Sequence, residues 1–257
     1  MATILMPLPA RDFDPSETGI PWRMLTARGH GLVFATPDGT PGEADPRMVT
    51  GQGLGLLAPL LKADRNGRAA YDAMLASPEF RQPLPYAAIP PCDALLLPYA
   101  AIPPCDALLL PGGHAKGMRP YLESPLLQQV VAGYFAAGKP VGAICHGVVL
   151  AARSKRDDGK SVLQGRRTTS LLKSQEMLAW NLTRLYLGDY YRTYPQTVED
   201  EVTAALARKE DFEHGPMAVT RDTQERPNGF AVVDGNYVSA RWPGDAHRFS
   251  VEFAAML

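Results

Sequence analysis

The chain has 257 residues, of which 46 % are hydrophobic and 21 % are charged, a composition typical of a folded globular protein. This length suits one large α/β domain or two small ones and is ample for a core. The net charge is −1, from 26 basic and 27 acidic residues, and no Lys/Arg run exceeds two residues, so neither nucleic acid nor a membrane surface is indicated as a partner.

Strand-like and helix-like segments alternate along the chain, which predicts a mostly parallel sheet with helices on both faces. The expected strands are the apolar runs Thr3–Met6, Gly31–Ala35, Ala107–Leu110 and Val141–Ile144. The expected helices of the same region are Pro15–Arg28, Ala69–Ala76, Pro120–Ala137 and His146–Arg153. The last two strands are continuously apolar, as buried parallel strands tend to be.

The C-terminal part adds two helices, a hairpin and a closing helix, expected at Gln175–Leu187, Val198–Arg208, Phe230–Val233 with Tyr237–Ala240, and 245–257. The hairpin is indicated by an Asp-Gly pair between its two strands. No Pro/Ser-rich linker divides the chain. We therefore expect residues 1–257 to form a single domain.

The start of the chain and its cysteines indicate a compartment. The apolar stretch Ala2–Met6 is short, follows no basic residue and meets Pro7, which is typical of a first strand rather than a signal peptide. No later apolar run approaches the roughly 18 residues that a membrane span needs. The three cysteines form neither a CxxC spacing nor a disulfide framework, so we expect no metal site and a cytoplasmic protein.

One segment, PYAAIPPCDALLL, occurs twice in tandem, at Pro85–Leu97 and at Pro98–Leu110. The copies are identical, whereas solenoid repeats diverge and come in larger numbers, so this is a recent local duplication or an error in the sequence. Only the second copy continues into Pro-Gly-Gly-His at residues 111–114. We therefore expect Ala107–Leu110 at the centre of the sheet. The first copy is expected at the surface, as a loop or an edge strand, with its three leucines (Leu95, Leu96 and Leu97) exposed.

The segment GAICHGVV places Cys145 and His146 between small residues at the end of an apolar run. A buried strand that passes directly into a helix forces a tight turn, a nucleophile elbow, whose neighbouring side chains must be small. Ala143 and Gly147 meet that requirement. The elbow places the sulfur at a helix N-terminus, where unpaired N–H groups stabilise a thiolate and lower the thiol pKa from about 8.5. We therefore expect Cys145 to be a reactive, acidic nucleophile.

An oxyanion formed by such a nucleophile needs hydrogen-bond donors. The backbone N–H of His146, directly after the nucleophile, is the usual first donor. Gly112 and Gly113 follow the apolar run LLLP, and their backbone can approach a ligand closely, so they are candidates for the second donor. His114 comes next in the chain and is a candidate for the pocket wall.

Three segments, RDFDPSETGIPW, LLLPGGHAKGMRPY and GKPVGAICHGVVLAA, together resemble the ThiJ/PfpI superfamily of the class I glutamine amidotransferase-like fold. The likeness extends from Thr3 to Arg167, and DGNYVSARWP near the C-terminus resembles a further family segment. The resemblance implies a flavodoxin-like three-layer α/β sandwich with Cys145 on a nucleophile elbow. It also implies that a glutamate from an early helix, here Glu17, hydrogen-bonds the cysteine. A carboxyl beside a thiolate is expected to stay protonated or to shuttle protons.

The sequence departs from the glyoxalase and chaperone branch of that family at one position. In that branch an acid after the cysteine completes a Cys-His-acid triad, whereas here Lys173 stands at that position, with Glu176 nearby as a substitute. Two interpretations of His146 therefore stay open. Its ring is the base of the site, or the ring is turned elsewhere and only the backbone N–H contributes. The segment 176–212 is also atypical and is expected to form much of the pocket wall.

The leading hypothesis implied by the resemblance is a cofactor-free enzyme of the glyoxalase III or deglycase type, which converts methylglyoxal to lactate without glutathione. Cys145 would attack the aldehyde, and Glu17, alone or with His146, would move a proton between carbons. A cysteine amidase or peptidase-like hydrolase is the second hypothesis. The third is a redox-sensing or chaperone protein without enzymatic activity. The expected partner is a small carbonyl compound, and a homodimer is compatible with the family.

Overall fold

A seven-stranded sheet forms the centre of the computed structural model, which describes residues 1–90, 105–217 and 220–257. The strands of the chain are β1 (Thr3–Pro7), β2 (Arg11–Phe13), β3 (Gly31–Thr36), β4 (Glu43–Ala44), β5 (Leu84–Pro85), β6 (Ala107–Leu110), β7 (Val141–Ile144), β8 (Ala231–Asp234) and β9 (Tyr237–Ala240). The order across the sheet is β5-β3-β1-β6-β7-β9-β8, while β2 and β4 form a separate pair. All neighbours in the large sheet are parallel except β8 and β9. The inner order β3-β1-β6-β7-β9 is that of the flavodoxin-like fold.

Helices surround this sheet: α1 (Pro15–Thr26), α2 (Pro46–Thr50), α3 (Ala58–Leu61), α4 (Arg65–Ala76), α5 (Pro78–Arg81), α6 (Arg119–Leu122), α7 (Pro125–Ala136), α8 (Gly147–Arg153), α9 (Lys173–Leu187), α10 (Val198–Ala205) and α11 (Ala246–Ala254). Helix α1 packs against α4 and α11, whereas α7 packs against α8, which also contacts α10. The predicted flavodoxin-like α/β sandwich is therefore confirmed. In the part of the chain that the structure describes, no helix is long and apolar enough to cross a membrane.

The single helix predicted at Pro120–Ala137 is two helices, α6 and α7. Ser124 lies between them in an extended conformation, and its Oγ accepts the N–H of Leu127 at 3.3 Å, which caps the second helix. Pro125 follows at the first helical position, where its missing N–H costs nothing. The Ser-Pro pair therefore ends one helix and begins the next, and the prediction of a continuous helix is wrong.

The second copy of the duplicated segment supplies β6, which pairs with β1 on one side and β7 on the other. Ala107–Leu110 is thus the central strand, as expected. The first copy contributes Tyr86 and Ile89 to the hydrophobic core, and the Tyr86 hydroxyl donates to the carbonyl of Leu8, so the expectation of a surface location is wrong for these two residues. The expectations for Leu95–Leu97 lie outside the described residues.

The fold brings three segments to one edge of the sheet. The parallel strands β1, β6 and β7 all end there, and the chain after β1 leads through β2 into α1. Strand order reverses between β1 and β6, and in open parallel sheets ligands bind at such a switch point. The loop after β6, the loop after β7 and the N-terminus of α1 therefore define the region in which to look for a site.

Candidate active site

Cys145 lies at a sharp turn between β7 and α8. Its φ angle is 56°, in the left-handed region that residues with a side chain rarely occupy. Gly147 permits the turn, because a Cβ atom there would lie 2.1 Å from the carbonyl oxygen of Leu110. The Cys145 N–H donates to the carbonyl of Ala240 on β9 at 3.0 Å. The chain thus forms the predicted nucleophile elbow, with Cys145 5 % exposed.

The N-terminus of α1 holds Glu17 against the loop that follows β6. Asp14 caps the helix, since its Oδ1 accepts the N–H groups of Ser16 and Glu17 at 2.7 and 3.0 Å. The Asp14 N–H donates to the carbonyl of Gly112 at 2.9 Å, and the Gly112 N–H donates to Oε2 of Glu17 at 3.1 Å. These reciprocal bonds fix the Glu17 carboxyl at the end of β6.

Gly112 is the position at which the site residues meet. A Cβ atom on Gly112 would lie 2.6 Å from Oε2 of Glu17, 2.9 Å from Cβ of Cys145 and 2.8 Å from the backbone nitrogen of His146. Only a glycine leaves room for these three residues together. Because the Gly112 N–H is bonded to Glu17, Gly112 is not the second oxyanion donor that the sequence suggested. Gly113 lines the cavity beside Cys145 and keeps that candidate role.

Burial makes Glu17 a neutral acid. Glu17 is fully buried, and desolvation is the main reason why its pKa lies well above the usual value, with the nearby charge of Asp14 adding to the rise. Its Oε1 atom has no hydrogen-bond partner among the described residues. The carboxyl also lies close enough to the Cys145 thiol for each group to alter the pKa of the other. A protonated carboxyl in this place can donate a proton to a bound oxygen.

The resting form of Cys145 is the thiol. Burial is the main reason why its pKa lies well above the usual value, the nearby carboxyl groups of Glu17 and Asp14 add to the rise, and the N–H of His146 lowers it. The expectation of an acidic thiol at the helix N-terminus is therefore wrong, because desolvation outweighs the one backbone donor. A base must accept the thiol proton when this sulfur attacks a substrate.

The His146 ring is placed to be that base. Its Nδ1 lies 3.4 Å from Sγ of Cys145, and its Nε2 lies 2.9 Å from Oγ1 of Thr193. The Thr193 hydroxyl donates its single hydrogen to the carbonyl of His114, so it accepts one from Nε2. Burial lowers the pKa of His146 to about 3, and the ring is neutral. The hydrogen-bond network therefore assigns the hydrogen to Nε2 and leaves the Nδ1 lone pair facing the thiol. The interpretation in which the ring is turned elsewhere is wrong.

The two sequence candidates for a third triad residue lie elsewhere. Lys173 is exposed, and its Nζ pairs with Asp200 at 2.9 Å. Glu176 lines the cavity, but its Oε2 accepts the N–H of Val198 at 2.9 Å. The partner of the His146 ring is Thr193, which lies in the atypical segment 176–212. No signal in the sequence identified Thr193, since nothing about a lone threonine 47 residues from His146 marks it as a partner.

His114 is held by two tyrosines. Its ring stacks on Tyr191 at 4.4 Å between centroids and meets the edge of the Tyr190 ring at 4.9 Å. Burial lowers the pKa of His114, so the ring is neutral. Its Nε2 is buried without a hydrogen-bond partner among the described residues, and the residue lines the cavity. The structure thus places His114 on the wall of the site, with one polar atom available to a ligand.

A cavity of about 340 Å³ opens above Cys145. Polar residues that line it include Glu17, His114, Glu176 and Arg221, while α3, α9 and Trp242 provide an apolar wall. Sequence reasoning missed Arg221 and Trp242, which come from the C-terminal part of the chain. Among the described residues, no group of three or more His, Cys, Asp or Glu side chains is arranged to hold a metal ion.

The match to a known family covers most of this architecture. A family model described as ThiJ/PfpI family-like matches residues 8–216, which include the elbow, the Gly-Gly loop and the N-terminus of α1. The chain therefore belongs to the ThiJ/PfpI family, as the sequence resemblance implied. A comparison with curated proteins gave no match.

Solved structures support the same fold at low sequence identity. Rapid Encystment Protein 24 KDa from Francisella tularensis is 16 % identical, with a TM-score of 0.70 over 100 % of this chain and 99 % of that one. Glyoxalase III from Candida albicans is 16 % identical, with a TM-score of 0.68 over 100 % and 97 %. A mutant of Schizosaccharomyces pombe DJ-1 is also 16 % identical, with a TM-score of 0.52 over 99 % and 91 %. At these identities the comparisons establish the fold.

Proposed function

We propose that this protein is a cysteine enzyme that converts 2-oxoaldehydes to 2-hydroxy acids without a cofactor, methylglyoxal to lactate being the simplest case. One observation carries the proposal: a thiol and a neutral carboxyl line one cavity, and a neutral imidazole lies against the thiol with its lone pair toward the sulfur. The fold shared with a glyoxalase III from Candida albicans supports it. These three groups suffice for the addition, the proton transfer and the hydrolysis that the conversion needs.

In the first step, Sγ of Cys145 bonds to the aldehyde carbon while the thiol proton passes to Nδ1 of His146. The aldehyde oxygen takes the proton of Glu17, which gives a hemithioacetal and a Glu17 carboxylate. The N–H groups of His146 and Gly113 stabilise the developing negative charge. A protonated Glu17 suits this step because an ionised carboxyl would repel the oxyanion.

In the second step, the Glu17 carboxylate removes the hydrogen on the aldehyde carbon as a proton and returns it to the neighbouring carbon. The hydroxyl proton moves to the second oxygen, so the product is a thioester of a 2-hydroxy acid. One carboxyl serves both carbons, since they are adjacent. Positioned acids and bases of this kind typically contribute about 10²–10⁴-fold to the rate.

In the last step, water attacks the thioester. The Glu17 carboxylate takes a proton from the water, and the carbon–sulfur bond breaks. The sulfur recovers its proton from His146, so the thiol, the neutral carboxyl and the neutral imidazole are all restored. The low basicity of the His146 ring favours this return of the proton.

The test is a panel of 2-oxoaldehydes and amides, assayed without glutathione or added metal. We expect methylglyoxal to yield lactate, Cys145→Ala to reduce turnover to background, and Cys105→Ala, which changes a cysteine away from the cavity, to retain it. Amide hydrolysis that depends on Cys145, without aldehyde turnover, would replace the proposal with a hydrolase. Turnover of no compound in the panel would overturn it in favour of a protein without enzymatic activity.

A further inference from the structure

The cavity above Cys145 has two chemically different ends. At its floor lie Glu17 and His114, and Arg221, which also lines the cavity, is close enough for its positive charge to offset part of the rise in the pKa values of Asp14 and Glu17. At its mouth, apolar side chains of α3 and α9 line the cavity: Leu60, Leu61, Leu178, Ala179 and Leu182. A ligand that fills the cavity therefore needs a polar head and an apolar tail.

The floor offers several hydrogen-bonding atoms to a ligand. Four residues that line the cavity each carry a buried side-chain polar atom without a partner among the described residues: Glu17 Oε1, His114 Nε2, Tyr191 Oη and Trp242 Nε1. Buried polar atoms in native proteins are nearly always hydrogen-bonded, so a cluster of unpaired ones in one cavity points to a bound group. These atoms suit a dicarbonyl head and the carboxylate of a hydroxy acid.

The mouth is more apolar than a three-carbon substrate requires. Leu60 and Leu178 are each 60 % exposed and Leu182 is 46 % exposed, yet all three line the cavity. A volume of about 340 Å³ lies within the range of roughly 300–1,000 Å³ found for sites that enclose drug-sized ligands. Methylglyoxal, whose tail is one methyl group, would leave this apolar wall in contact with water.

We infer that the carbonyl substrate carries a bulky apolar substituent, aryl or long alkyl, which lies between α3 and α9 while its aldehyde meets Cys145. The inference rests on the proposed function and names its substrate class. Atoms and protons move as in the proposed steps, because the substituent stays on the second carbon and takes no part in bond changes.

The test compares initial rates with phenylglyoxal and methylglyoxal. We expect kcat/KM to be at least about tenfold higher for phenylglyoxal, since even one buried methylene gives about 10–200-fold discrimination. The double variant Leu178→Gln/Leu182→Gln should lower kcat/KM for phenylglyoxal far more than kcat/KM for methylglyoxal, so that most of the preference is lost. Leu185→Gln is the matched control, because Leu185 lies on the same helix but is 95 % exposed and away from the cavity.

A second measurement does not depend on turnover. Mandelate, the product expected from phenylglyoxal, should protect Cys145 from iodoacetamide at lower concentration than lactate does, and the double variant should lose the difference. Preference for methylglyoxal, or a preference that survives in the double variant, would overturn the inference and leave the proposed function intact. If no aldehyde is turned over, the proposed function fails. Stronger protection by mandelate would still support the apolar tail in that case, and equal protection by both acids would overturn it.

Discussion

The imidazole Nε2 of His146 lies 2.9 Å from the hydroxyl oxygen of Thr193, and both side chains are buried. The sequence resemblance implied an acid as the third member of this group. A hydroxyl orients the ring and fixes its tautomer, as a carboxylate does, but it brings no negative charge to stabilise an imidazolium. Burial lowers the pKa of the His146 ring to about 3, and the Thr193 hydroxyl brings no charge that would offset this.

Thr193 is therefore a positioning residue for His146. We expect Thr193→Val to lower kcat about tenfold with little change in KM, because a hydrogen bond worth roughly 1–1.5 kcal/mol no longer fixes the ring. Thr193→Ser should restore activity. Thr193→Asp should raise the pKa of His146 and shift the acidic limb of the kcat profile to higher pH. Equal losses in the Val and Ser variants, with an unmoved pH profile in Thr193→Asp, would remove this role.

Cys145 should react with iodoacetamide as a thiol whose pKa is raised. Its labelling rate, measured by mass spectrometry, is expected to be slow near pH 6 and to keep rising into the alkaline range. It should still exceed the rate at Cys105, which is 3 % exposed, lies away from the cavity and has a pKa raised to about 11 by burial. A labelling rate that is already constant at pH 6 would contradict the raised pKa. Faster labelling of Cys105 would contradict the assignment of Cys145 as the nucleophile. Cys92 lies outside the described residues.

Glu17→Gln tests the proton transfer. The amide oxygen can still accept the Gly112 N–H, so the fold should be retained, but an amide cannot carry the proton. We expect turnover of a 2-oxoaldehyde to fall by about 10²–10⁴-fold. Glu176→Gln, which changes another carboxyl in the same cavity, is the control and should retain far more activity. Wild-type rates in Glu17→Gln would take Glu17 out of the mechanism.

Glu176 should make stability depend on pH. Burial raises its pKa from 4.5 to about 7, so the folded state holds a proton that the unfolded state releases at lower pH. Its contribution to stability is therefore full below pH 4.5 and is lost as the pH rises to about 7, by up to roughly 3 kcal/mol. In urea unfolding, the free energy of unfolding of Glu176→Gln should rise relative to that of the wild type as the pH increases through this window. The same comparison for Glu43→Gln, a change at an exposed residue, should show no such rise. A constant difference between Glu176→Gln and wild type at every pH would contradict the shift.

Deleting residues 85–97 tests the duplication. In the described part of the chain, the first half of the repeat makes its contacts through Pro85–Pro90 of the first copy. The second half makes its contacts through Cys105–Leu110 of the second copy. One copy contains both halves, so the deletion variant can form β5, the Tyr86 contacts and β6 from a single copy. We expect its circular dichroism spectrum and activity to match the wild type, with an unfolding midpoint within a few degrees and better solubility. An unfolded product would show that both copies are needed.

The sequence by itself was enough for the elbow and the main strands, because their causes are local. A short apolar run followed by a cysteine and small residues is typical of a strand that turns sharply into a helix. A Cβ atom at Gly147 would clash with Leu110, which confirms that the turn needs a small residue there. The predicted start of α1 at Pro15 is likewise local in origin, since the side chain of the preceding Asp14 caps the helix. The sequence analysis predicted one helix across Ser124, although the cause of the break is local too. A Ser-Pro pair favours the start of a new helix, and here it lies inside a continuous apolar pattern.

Three features are decided by the tertiary structure: which copy of the repeat forms the central strand, which residue contacts His146, and which protonation states the site residues have. The two copies of CDALLL have the same propensity, and only pairing between β1 and β7 selects Ala107–Leu110. The partner of His146 comes from a loop 47 residues away, brought there by packing. The protonation states of Cys145 and Glu17 follow from burial and from neighbours on other elements, and the helix N-terminus alone predicts the opposite shift for the thiol. Desolvation and long-range contacts act only once the chain has folded, which is why the sequence located Cys145 at the elbow but not the protonation state of its thiol.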